Sequence, residues 1–105
     1  MLLQKFSEGM TNKDLPLLES LLHEEMLFLQ DTILETKEQW VKDMEIQFEK
    51  GTFDASKIDV TTKFETKDMG ALEIIIKEGD TLLRLSSVFL YKDHKIYRQL
   101  VKYSS

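Results

Sequence analysis

The sequence predicts one α+β domain, with three N-terminal helices packed on a curved, mostly antiparallel sheet. Three observations lead there. Apolar residues spaced three and four apart dominate up to Gly51, strict alternation takes over after Ser56, and short turn sequences divide the later runs. At 105 residues the chain fits a single domain spanning 1–105.

In chain order, Leu2, Leu3, Phe6 and Met10 form one apolar stripe, predicting a helix over Met1–Met10 that ends at Gly9 and Thr11-Asn12. Asp14 can cap a second helix, with Pro16 tolerated in its first turn and Leu15, Leu18, Leu21 and Leu22 as its buried face. Met26-Leu27-Phe28-Leu29 is a continuous apolar run, read as a strand covered on both sides. Asp31-Thr32 then turns into a brief strand, Ile33 to Glu35. Thr36 and Gln39 make a capping box for a third helix, whose stripe is Trp40, Val41, Met44 and Phe48 and whose stop is Gly51. Glu35, Glu38, Glu45 and Glu49 read as its solvated surface, with Glu38 and Lys42 paired four residues apart. Ile58, Val60, Thr62 and Phe64 alternate with polar residues as a strand. Three more strands follow, Ala71–Lys77, Thr81–Tyr91 and Lys95–Tyr103, joined by turns at Glu78-Gly79-Asp80 and Asp93-His94.

Composition narrows the function classes. A net charge of −5, with Arg84 and Arg98 as the two arginines, argues against nucleic acid, which demands a concentrated basic surface. No apolar run is long enough to span a membrane, and no leader pattern opens the chain. The absence of cysteine removes disulfides and thiolate metal sites and fits a cytoplasmic protein. His23, Glu24 and Glu25 are sequence neighbours and diverge rather than converge on a metal, so neither metal nor cofactor is implied.

Setting Lys77 opposite Thr81 and Lys92 opposite Lys95 sorts the strands into two faces. One carries Leu72, Ile74, Ile76, Arg84, Ser86, Gln99 and Tyr103. The other carries Ile75, Leu83, Leu85, Phe89, Ile96 and Leu100. Three short helices cover a single face, so the second apolar face is expected to pair with its own copy as a homodimer.

Gly9 followed by Lys13-Asp14-Leu15 and Leu18, Leu21 and Leu22, then Glu24-Glu25 before Met26-Leu27-Phe28, then Tyr91-Lys92-Asp93-His94-Lys95-Ile96 ending in Tyr103, together resemble the nuclear transport factor 2-like superfamily. That resemblance implies a cone-shaped fold wrapped around a pocket, in a family that includes isomerases, dehydratases, cyclases and transport adaptors. His94 stands where the family has glycine, which implies a positive φ there. Members resembling ketosteroid isomerase use a tyrosine, an aspartate base and a protonated acid. The matching positions here are Phe6, Gln30 and Ser86, which cannot perform those roles, and Asp31 lies one residue from the base position.

The leading functional reading is therefore a dimeric domain binding a small, anionic or polar-headed organic ligand in an apolar pocket. Arg84, Ser86, Gln99, Tyr103, Phe28 and Trp40 are its candidate ligand-binding residues, with Arg84 able to hold a carboxylate by paired hydrogen bonds. The opposing reading pairs Arg84 with a core acid or lets it reach the rim by its aliphatic stem. A rival enzyme reading, a lyase or isomerase, uses Asp31 or His23 for proton transfer. Against it, His23 reads more simply as a solvated residue at the end of the second helix. A third reading makes the uncovered sheet face an interaction module for a different protein.

Overall fold

A computed structural model describes residues 2–104. Its elements run α1 (Leu2–Thr11), α2 (Leu15–Leu21), β1 (Leu22–Gln30), β2 (Ile33–Thr36), α3 (Lys37–Lys50), β3 (Ile58–Glu65), β4 (Met69–Glu78), β5 (Thr81–Lys92) and β6 (Lys95–Ser104). The strands form one sheet in the order β2-β1-β6-β5-β4-β3. β1 and β6 run parallel, and every other neighbouring pair is antiparallel.

Local chemistry sets the helix ends. The Asp14 carboxylate accepts from the Leu17 backbone N–H and starts α2. Thr36 and Gln39 satisfy each other's backbone N–H groups at the start of α3, and Gly51 closes it at φ 77°, a left-handed conformation that costs a glycine little. Gly9 does not end α1. It lies buried inside the helix, where α2 crosses so closely that a Cβ would stand 2.7 Å from Leu18 Cδ2. Leu18 is fully buried and cannot retreat, so Gly9→Ala is expected to lower stability by about 1–3 kcal/mol, read as an earlier urea midpoint.

α1 is also tied to the sheet by polar contacts. Glu65 Oε2 accepts from the Leu3 backbone N–H at 3.2 Å and from the Tyr91 hydroxyl at 2.6 Å. Burial, and then the Glu65 hydrogen bond and charge, push the Tyr91 phenol up, so it stays a donor.

The core lies between the helices and one face of the sheet. Phe6 and Phe89 meet edge to face at 5.1 Å, with Leu3, Met26, Leu72 and Ile96 around them. β1 starts directly after α2, so His23 sits on a strand rather than at a helix end. That strand is covered on one side only: Met26 and Phe28 are buried while Leu29 is exposed.

The strand registers revise the faces. Glu78, not Lys77, opposes Thr81, because the turn holds two residues, Gly79 at φ 59° and Asp80. At the next hairpin Lys92 does oppose Lys95, but Leu90 opposes Arg98, which leaves Tyr97 as a bulge. The two one-residue slips cancel for β6 beyond Tyr97 relative to β4, and they turn over β5 together with Ile96, which precedes the bulge. Leu85, Phe89 and Ile96 are therefore buried core, and Leu83 is half-buried on the same covered face. Of the residues expected at a dimer interface, only Leu100, 45% exposed, and Ile75, the half-buried cross-strand partner of Arg84, lie on the open face. Arg84 and Ser86 move to that open face, away from the core.

Candidate functional site

α3, the β1–β2 hairpin and the inner face of the sheet enclose a cavity of about 310 Å³. α3 presents Trp40, Asp43, Met44 and Gln47 to it, a spacing of three, four and seven residues that shares one helix face. β2 contributes Ile33 and Glu35, two apart and so on one side of the strand. The sheet floor adds Phe28, Ile74, Leu85, Ser87, Gln99 and Val101, with Tyr103 and Gln30 at the hairpin end. Phe6 closes the inner wall 6.3 Å from the Trp40 ring, and Phe53, from the segment after α3, closes another.

The polar groups in this apolar setting are few. Gln99 is buried, at 5% exposure, and its Oε1 has no hydrogen-bond partner. An amide oxygen left unpaired in a protein interior is costly, and at a cavity wall it is a waiting acceptor. Glu35 and Asp43 meet across the gap between β2 and α3. Burial, a hydrogen bond with Asp43 that only a protonated carboxyl can make, and the Asp43 charge push Glu35 up to about 7. Burial also raises the Tyr103 phenol, opposed by hydrogen bonding to Gln30 and reinforced by the Asp31 charge. Thr52 donates to Gln47 Oε1 at 2.7 Å, so that polar pair is already satisfied.

Of the residues expected to bind ligand, Phe28, Trp40, Gln99 and Tyr103 come together in the cavity wall, and Arg84 and Ser86 do not. Arg84 Nε lies 3.4 Å from Glu73 Oε2 on the open face, alongside Lys63. Ser87, the neighbour of Ser86, takes the inward place. His23 and Asp31 sit at opposite ends of β1 and cannot serve one reacting centre. His23 Nδ1 accepts from the Glu25 backbone N–H at 3.0 Å, its ring meets Tyr97 edge to face, and Nε2 lies 3.5 Å from Asp93. Asp31 occupies the β1–β2 turn at φ 52°.

Sequence reasoning missed Glu35 and Asp43. It ended the brief second strand at Glu35 but counted that side chain as solvated surface of the third helix, whereas it lines the cavity. The available signal was a polar interruption of the α3 stripe, Asp43 and Gln47 falling in phase with Trp40 and Met44.

No family model and no curated protein matches the sequence. Solved structures do match its shape. A nuclear transport factor 2-like protein of unknown function from Cytophaga hutchinsonii superposes with a TM-score of 0.72 at 16% identity, over 98% of this chain and 87% of that one. A putative ketosteroid isomerase from Kribbella flavida gives 0.78 at 12% identity, over 99% and 76%. A hypothetical protein with a ketosteroid isomerase-like fold from Catenulispora acidiphila, solved with trimethylamine, gives 0.68 at 14% identity, over 98% and 85%. At these identities the likeness speaks for architecture, and with the helix order and sheet topology it settles it: the chain has the cone-shaped nuclear transport factor 2-like fold.

Proposed function

We propose that this domain binds a small organic molecule in the cavity beneath α3 and pairs with a second copy through its open sheet face. The observation that carries the first part is Gln99, whose buried oxygen is unpartnered in the wall of an aromatic-lined cavity. The volume, about 310 Å³, falls at the small end of the range for ligand sites, roughly 300–1,000 Å³. The Catenulispora protein, solved with trimethylamine, lends support from within the same fold.

The second part rests on register. Leu34, Leu29, Leu100, Val88, Ala71 and Phe64 are successive cross-strand partners, an apolar row running across all six strands of the open face. Leu34, Leu29, Leu100, Val88 and Phe64 are each more than a third exposed, as is Leu90 in the adjoining row. A band this wide is uncommon on a monomer, and a two-fold axis lets it cover itself. The flanking row carries Lys102 and Glu73, polar residues of both signs that suit the rim of such an interface.

Native mass spectrometry of the protein as purified tests both parts. The expected species is a dimer carrying a reproducible small extra mass, converted to monomer by Val88→Lys combined with Leu100→Lys. A bare monomer would overturn the pairing and shift the open face towards a different protein partner.

A further inference from the structure

Taking the cavity as a ligand site, its chemistry also selects the kind of ligand. Among the described residues, the side chains lining it that carry charge are Glu35 and Asp43, both carboxylates, and no lysine, arginine or histidine joins them. With Arg84 outside and paired to Glu73, no cationic side chain in the wall would neutralise an anion. The two carboxyls face each other closely enough to share a proton, so their vacant counter-charge is positive.

The second observation is independent of that pair. Gln99, buried and unpartnered, presents one more acceptor. Its place is fixed by the sheet: Glu35 opposes Phe28 and Phe28 opposes Gln99, a single row over β2, β1 and β6. Two strand spacings separate the ends of that row, on the order of 10 Å between backbones. Phe28 stands between them in that row, and Trp40 lines the same cavity from α3.

We propose that the ligand is a small protonated amine with a hydrogen-bond donor at its other end. The ammonium group sits between Glu35 and Asp43, where its three N–H donors meet carboxylate oxygens. The hydrocarbon or aryl body lies on Phe28 and Trp40, and the distal hydroxyl or N–H donates to Gln99 Oε1.

Tyramine, its neutral counterpart tyrosol and the truncated phenethylamine separate these requirements. Binding is followed by two-dimensional NMR through the Trp40 indole and Gln99 side-chain amide signals, at physiological salt so that the acidic surface is screened. Tyramine is expected to bind about tenfold more tightly than tyrosol, and phenethylamine several-fold more weakly than tyramine. Glu35→Gln is expected to bring tyramine and tyrosol within about twofold of each other. Asp43→Asn, on an exposed side chain, supplies a second variant with the same expected direction. Tyrosol binding as tightly as tyramine would overturn the amine assignment while leaving the cavity a ligand site. Shifts confined to residues outside the cavity would overturn it too. If none of the three probes moves either signal at millimolar concentration, the ligand reading falls along with the amine assignment.

Discussion

Phe89→Ala is expected to cost roughly 3–5 kcal/mol, enough to remove a large share of the stability of a domain this size. The ring is fully buried against Phe6, and its neighbours are the helix side chains and the inner sheet face. The adjacent Val88→Ala should cost the monomer well under 1 kcal/mol, because Val88 faces outward at 38% exposure. Guanidinium unfolding of the two variants at low protein concentration makes the comparison. The contrast is a direct reading of the β5 register: turning that strand over would exchange the two results.

The second large effect is in pH. Glu35 is raised to about 7 in the folded protein, from an ordinary 4.5. Folding therefore favours its protonated form. The corresponding stabilisation is complete below pH 4.5 and is lost as pH rises through about 7. Glu35 is only partly buried, and solvent screening reduces the full linkage to about 1 kcal/mol. For a domain of this length that is a fall in Tm of about 4–8 °C between pH 5 and pH 8. Glu35→Gln should flatten the profile in that window. The groups that share the cavity with Glu35 are Asp43 on α3 and Tyr103 on β6, and the Tyr103 phenol is raised, out of range of this window. Asp54 acts elsewhere on the scale. Its hydrogen bond from Lys13 holds it below 3.8, so its contribution is present above that value and lost in stronger acid. A ligand-free protein whose Tm is flat from pH 5 to pH 8 would sink the proton-sharing arrangement of Glu35 and Asp43.

Where a local signal carries its own physics, the sequence was readable. Thr36 with Gln39, Asp14 before Pro16, and Gly51 each satisfy backbone groups within a few residues, and each stands where expected. His94, placed at positive φ by resemblance, has φ 61°. The faces of β5 were not readable in the same way. Glu78-Gly79-Asp80 accommodates a turn of two residues or three, and the choice turns every later side chain over. The Tyr97 bulge has no compositional mark, and both faces of β5 carry leucine, so hydrophobicity could not arbitrate. The cavity was half visible for the same reason. Phe28, Trp40, Gln99 and Tyr103 keep their side under either register, whereas Arg84 and Ser86 depend on it.

The parallel pairing of β1 with β6 also governs how the protein is made. Leu22 lies beside Ile96, and Gln30 beside Val101, so a strand from early in the chain waits for one near its end. β6 stands in the interior of the sheet, bridging β1 to β5. Until it leaves the ribosome, both strands expose an unpaired backbone edge and the apolar side chains meant for the core. Closing so long a loop is entropically slow. The nascent domain is thus most in need of a chaperone during the interval before β6 emerges, and its sheet closes only once that strand is available.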